Sequence, residues 1–110
     1  ATPLVRERAD FLVQLIGGAE LARWLRVSRS QPTRWRTGAE QPSVEAAREL
    51  VDLDHVMTRA LMLWTPRVAT DWFTSANAYL DGARPIDVLR IRGSAEVIDA
   101  LDAVTSGAYA

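Results

Sequence analysis

Apolar residues recur at helical spacing along the chain, and no segment alternates apolar and polar residues long enough to indicate a strand. A first helix is predicted from Thr2-Pro3, with threonine as N-cap and proline at the first helical position, to Gly17-Gly18. A second helix, a third element and a loop follow over residues 21–25, 28–37 and 38–43. The pattern predicts an all-α fold.

A long fourth helix is predicted from Ser43, which can serve as its N-cap, to about Trp64, where Thr65-Pro66 prevents continuation. Because a helix with one covered face needs only one apolar stripe, its two stripes predict packing on both sides. We expect the N-terminal helices on one side and the C-terminal part or a twin subunit on the other, and therefore a homo-oligomer. The stripes are Ala47, Leu50, Val51, Met57, Leu61 and Trp64, and, beside them, Leu53, Val56, Ala60 and Leu63.

The end of this helix divides the chain into two predicted domains, residues 1–64 with the connecting helix and residues 65–110. Within the second domain, short helices are expected up to about residue 73 and over residues 85–90 and 94–105, and residues 75–82 connect them.

The residue composition disfavours an enzyme. Cysteine is absent and His55 is the single histidine, which excludes disulfides, thiolate metal sites and histidine metal clusters. No apolar run is long enough to cross a bilayer, and the first residues do not resemble a signal peptide. We therefore expect a non-enzymatic cytoplasmic protein with no metal, no cofactor and no membrane association.

Charge is unevenly distributed along the chain. All 13 basic residues are arginines, against 14 acids, which codon bias alone could also produce. Residues 17–43 carry five arginines and two acids, whereas residues 61–110 carry four arginines and six acids. A basic N-terminal segment and an acidic C-terminal one predict two partners of different charge.

Residues 17–38 have the pattern of two short helices joined by a tight connection, with Leu21, Leu25 and Trp35 as apolar anchors. Glutamine can read adenine and arginine can read guanine in the major groove, while the other polar side chains can hold phosphates. The segment resembles the helix-turn-helix of the Xre/Cro family. That resemblance implies DNA contacts from Arg29, Ser30, Gln31, Thr33, Arg34 and Arg36.

Two positions depart from that family pattern. Arg26 stands where the turn usually has glycine, which suits a positive φ better, and Pro32 stands where a buried aliphatic residue is expected. The mildest resolution is a recognition helix that starts late, with Ser30 as cap or Pro32 in its first turn. The alternative is a helical hairpin whose arginines are merely solvated.

From residue 72 onward the chain contains an ordered set of residues, which are Trp72, Ser75, Asn77, Leu80, Gly82, Pro85, Asp87, Leu89, Gly93, Val97, Leu101 and Gly107. This set resembles the toxin-binding domain of Xre/MbcA/ParS-type antitoxins. Ala76 departs from the family, which often has proline there. The resemblance implies a cognate toxin of the RES-domain, NAD-consuming type and a hetero-oligomer with it.

The candidate toxin contacts fall into two groups, Asn77, Arg84, Arg90 and Arg92, and the tail Gly107, Ala108, Tyr109 and Ala110. Each residue of the first group also has a structural interpretation, as a turn residue, a helix start or a solvated charge. Tyr109 offers a large contact area at low entropic cost, and in the resembling family this end of the chain enters the toxin's catalytic cleft.

These patterns lead to one functional hypothesis and one alternative. The hypothesis is an antitoxin of a type II toxin–antitoxin system that occludes the active site of a RES-domain toxin and also binds operator DNA. The alternative is a stand-alone dimeric helix-turn-helix transcriptional regulator.

Overall fold

The computed structural model describes residues 3–107, with side chains from Val5 onward, and every regular element in this range is a helix. The all-α prediction is therefore confirmed. The predicted N-cap Thr2 and the tail residues Ala108, Tyr109 and Ala110 lie outside the described residues. The helices are α1 Pro3–Ile16, α2 Gly18–Leu25, α3 Gln31–Thr37, α4 Val44–Ala60, α5 Pro66–Phe73, a 3₁₀ helix Ala78–Leu80, α6 Pro85–Arg92 and α7 Ala95–Thr105.

The chain divides into two compact units, Ala1–Asp54 and His55–Ala110. The division falls within α4, earlier than the boundary after residue 64 expected from the sequence.

In the first unit α1, α2 and α3 pack against one another around an apolar core. Leu12 and Leu21 are fully buried, and Leu25 and Trp35 are almost so. The large side chains that the sequence pattern selected as anchors of α2 and α3 are thus the ones that hold the three helices together, as apolar burial requires.

The connection between α2 and α3 depends on a left-handed residue. Arg26 ends α2 with φ 56° and ψ 45°, and its N–H donates to the Arg23 carbonyl at 3.3 Å. This is the conformation that glycine adopts most easily, so the departure noted at Arg26 is accommodated in a strained backbone. Pro32 lies in the first turn of α3, where no intrahelical hydrogen bond is lost.

Gly38 ends α3 with φ 83°, and a Cβ added there would stand 3.0 Å from Cζ of Arg6. The Arg6 guanidinium also donates to the Thr37 carbonyl at 3.2 Å. The Arg6 guanidinium therefore lies at the C-terminal end of α3, where the helix dipole is negative. The absence of a Cβ at Gly38 provides the space for it.

Helix α4 starts as predicted, because Oγ of Ser43 accepts a hydrogen bond from the Ala46 N–H at 3.0 Å. The predicted end at Trp64 is wrong, because the helix stops at Ala60. Hydrogen bonds from Met62 to the Arg59 carbonyl and from Leu63 to the Ala60 carbonyl tighten the chain into a turn. The apolar run 61–64 thus continues the helical spacing without continuing the helix.

The two stripes of α4 are covered to different degrees. Leu50, Leu53, Val56, Met57 and Ala60 are fully buried, whereas Leu63 is 43% exposed. The second stripe, which we expected to contact the C-terminal part or a twin subunit, is therefore largely buried within the chain. Large apolar side chains that do remain exposed in the described range are Val44, Met62, Leu63, Val68, Tyr79 and Ile91.

In the second unit α7 packs against α6 and the 3₁₀ helix, and α5 packs against α6. The core contains the buried side chains Phe73, Ile86, Leu89, Val97 and Leu101. The Trp72 ring contacts two other rings, with its centroid 5.7 Å from that of Trp64 and 5.4 Å from that of Phe73. None of the described helices is both long and apolar enough to cross a membrane.

Candidate functional site

The residues predicted to contact DNA are spread over α3 and the turn before it. Arg29, Ser30 and Thr33 are exposed. Arg36 instead points to α1, where one of its terminal nitrogens forms an ion pair with Asp10 at 2.5 Å. The six residues therefore divide into an exposed group and a group held by contacts within the unit.

Glu40, in the loop after α3, holds two of the six. Its carboxylate accepts hydrogen bonds from Nε2 of Gln31 at 2.9 Å and from Nε of Arg34 at 3.0 Å. These bonds, the one from Gln31 first, lower the pKa of Glu40 because they stabilise its charged form. Arg34 also donates to Oγ of Ser30. In this conformation the Gln31 amide and the Arg34 guanidinium have partners already.

Gln31 also has a structural role at the start of α3. Its Oε1 accepts a hydrogen bond at 2.8 Å from the N–H of Ser28, in the turn that leads into the helix. Both ends of its amide group are thus engaged, one by the backbone and one by Glu40. Reading adenine with both ends would require these bonds to be exchanged.

A shallow hollow of about 360 Å³ lies beside the α2–α3 connection. Arg29 and Arg23 line it together with Ala19, Ala22 and Val27. Arg23 forms an ion pair with Glu20. The hollow thus brings two arginines, one of them ion-paired, to the same surface of the first unit.

In the second unit, Asn77 organises a turn. Its backbone carbonyl accepts from the N–H groups of Leu80 at 3.1 Å and Gly82 at 2.8 Å, and its own N–H donates to the Ala83 carbonyl at 3.0 Å. Among the described residues Oδ1 of Asn77 has no hydrogen-bond partner, although it is buried. The structural interpretation of Asn77 as a turn residue agrees with these contacts.

The three arginines named as toxin contacts differ in their surroundings. Arg84 makes two hydrogen bonds to the carboxylate of Asp87, at 2.8 and 3.0 Å, which raises the pKa of Arg84. Arg92 donates to Glu96 at 3.3 Å. Arg90 is half-buried on α6. Arg84 and Arg92 are thus held by different carboxylates.

A second hollow, of about 530 Å³, lies over the 3₁₀ helix, α6 and the start of α7. We call it the acidic hollow, and among the proposed toxin contacts that the structure describes, Arg92 alone lines it. Its lining residues are Tyr79, Leu80, Asp81, Ala83, Asp87, Val88, Ile91, Arg92, Glu96 and Asp99. No group of histidine, aspartate and glutamate side chains within residues 3–107 is arranged to hold a metal ion.

The second unit matches a known family model. Residues 59–107 match the antitoxin Xre/MbcA/ParS C-terminal toxin-binding domain. A relative, described as a probable mycobacterial cidal antitoxin of Mycobacterium tuberculosis, is 32% identical over 91 residues, which cover 82% of this chain and 76% of the relative. The chain belongs to the Xre/MbcA/ParS family of antitoxins. No solved structure matches it significantly.

The matched range of this antitoxin contains the whole acidic hollow and ends at Gly107. Gly107 follows α7 with φ 81° and is exposed. The other tail residues, Ala108, Tyr109 and Ala110, lie outside both the match and the described residues. The antitoxin family implies a cognate toxin as partner, and the toxin-binding domain is the unit that contains the hollow.

Sequence reasoning missed Tyr79 and Ile91 in this hollow. Ile91 is separated from the buried positions Ile86 and Leu89 of α6 by a spacing that turns it away from the core. One feature of the sequence could have identified Ile91. It is an apolar residue that lies outside the buried stripe of its helix and between two arginines.

Proposed function

We propose that the antitoxin binds a RES-domain, NAD-degrading toxin and occludes its active site. The family match over residues 59–107 carries the proposal, since it covers the second unit almost entirely and describes a toxin-binding domain. The RES type of the toxin follows from the family resemblance of residues 72–107. No catalytic role is assigned to the antitoxin itself.

In this proposal the tail, residues 107–110, blocks the active site of the toxin, and the folded second unit provides the binding surface. Gly107 donates its N–H to the Val104 carbonyl at 3.0 Å and has a backbone conformation that ends the helix. The following residues, Ala108, Tyr109 and Ala110, would enter the toxin's cleft, with Tyr109 as the large side chain. Asn77, Arg84, Arg90 and Arg92 would contribute from the folded unit.

Co-purification with the protein encoded beside the antitoxin gene tests this function against the alternative. A toxin partner should remain bound through gel filtration at moderate salt, and the complex should lack NAD-consuming activity. A chain that binds only DNA and forms a homodimer would instead be the stand-alone transcriptional regulator.

We propose in addition that α2 and α3 act as a helix-turn-helix on operator DNA. Arg29, Ser30 and Thr33 are exposed at the N-terminal side of α3, the position from which a recognition helix presents side chains to bases. Gln31, Arg34 and Arg36 would join them only after their contacts to Glu40 and Asp10 are exchanged for contacts to DNA.

Gel shifts on the antitoxin's own promoter test the DNA proposal. Arg29→Ala should weaken binding and reduce the slope of log K against log salt concentration by about 0.9 if Arg29 holds one phosphate. Arg67→Ala is the matched control, because Arg67 is exposed on α5 in the second unit and should leave binding unchanged. Equal binding by the Arg29 variant and the unaltered chain, at all salt concentrations, would contradict the proposal.

A further inference from the structure

Ile91 is an apolar side chain that the fold leaves in solvent. It is 79% exposed at the end of α6, while Ile86 and Leu89 on the same helix are buried. Tyr79, on the 3₁₀ helix, is 41% exposed and lines the same hollow. A concave surface that contains an exposed isoleucine and a tyrosine has the composition of the centre of a protein interface.

The rim of the acidic hollow carries net negative charge. Four carboxylates line it, against the one guanidinium of Arg92. Asp87 and Glu96 are ion-paired with Arg84 and Arg92. Asp81 and Asp99 form no ion pair with any residue that the structure describes. They are therefore available to a cation from outside.

On the basis of the toxin binding proposed above, we propose that the acidic hollow is a docking surface for a basic, apolar-tipped segment of the toxin. An apolar toxin side chain covers Ile91 and Tyr79, and lysine or arginine side chains beside it pair with Asp81 and Asp99. Charge complementarity of this kind directs encounter and orientation, while burial of the apolar centre supplies affinity.

The apolar half of this surface is tested by calorimetric titration of the purified toxin encoded beside the antitoxin gene. Ile91→Ser should weaken binding about tenfold or more, as loss of a central apolar contact does. Val44→Ser is the matched control, since Val44 is a β-branched residue of similar exposure, 90%, outside the family match. It should bind as the unaltered chain does, and circular dichroism should show both variants folded.

The electrostatic half is tested by the association rate at low and high salt. Asp81→Asn combined with Asp99→Asn should slow association several-fold at low salt and much less at high salt. Asp102→Asn is the control, because Asp102 is an exposed acid on the same helix as Asp99 but is paired with Arg59 at 3.2 Å. It should leave the rate unchanged.

The outcomes separate this surface from the proposed function. If the unaltered chain binds toxin and the hollow variants bind equally well, the hollow is not the docking surface, although toxin binding stands. A loss of affinity in Met62→Ser alone would place docking on another exposed apolar residue and overturn the proposal. If Ile91→Ser dissociates a homodimer and spares the toxin complex, the occupant is a second copy. Failure of the unaltered chain to bind overturns both proposals.

Discussion

At the scale of single residues, Glu40 fixes the positions of two polar side chains of α3. One carboxylate holds the Gln31 amide and the Arg34 guanidinium, and the Glu40 N–H also donates to the Arg34 carbonyl at 3.2 Å. A negative group at this place satisfies the same side chains that a phosphate or a base would satisfy. In the DNA binding proposed above, DNA would therefore compete with Glu40 for Gln31 and Arg34.

The lowered pKa of Glu40 gives these contacts a pH dependence. A carboxyl group whose pKa is lower in the folded chain stabilises the fold above its unfolded pKa, and this contribution is lost as the pH falls through the folded pKa. A carbon NMR titration of the Glu40 carboxyl should show a pKa below that of an unperturbed glutamate, and Gln31→Ala should raise this pKa. A pKa at or above the ordinary glutamate value in the unaltered chain would contradict the hydrogen bonds described.

At the scale of elements, the two serines that precede helices differ in what they do. Ser43 accepts the Ala46 N–H at the start of α4, whereas Ser30, at the corresponding position of α3, makes no side-chain capping bond. The Gln31 side chain accepts from the Ser28 N–H, which lies in the turn before α3 and is not one of the first-turn donors of this helix.

Alanine substitutions at the two serines should therefore have unequal effects. Ser43→Ala should lower the free energy of unfolding by about 1 kcal/mol, the usual contribution of an N-cap. Ser30→Ala should lower it by less, because no capping bond is removed and the hydrogen bond lost from Arg34 is exposed to solvent. Urea denaturation of both variants measures the difference. An unchanged free energy of unfolding in the Ser43 variant would contradict its role as a cap.

The ends of elements show how far sequence pattern can reach. Local chemistry predicts the start of α4 from Ser43, whose Oγ accepts the Ala46 N–H at 3.0 Å. The end of α4 was missed, because residues 61–64 keep helical spacing while their backbone closes into a tighter turn. The spacing of apolar residues indicates which face of a helix a residue occupies. It does not indicate whether a backbone N–H bonds to the carbonyl three or four residues earlier.

At the scale of the whole molecule, burial of apolar positions was predictable where one helix covers another. Leu21, Leu25 and Trp35 were expected in the core of the first unit and are found there. The surfaces that matter for binding were harder to predict. Glu40 meets Gln31 and Arg34 only after the chain turns at Gly38, and Ile91 is exposed only because α6 packs with its opposite side.

Occlusion of a toxin by the tail is the central claim, and the toxin's NAD consumption tests it most directly. The assay compares the full antitoxin with a chain lacking residues 107–110, at concentrations that give equal occupancy of the toxin. The full chain should abolish the activity. The shortened chain should bind and leave most of the activity, with its thermal melting nearly unchanged, because α7 ends at Thr105. Complete inhibition by the shortened chain would contradict occlusion by the tail.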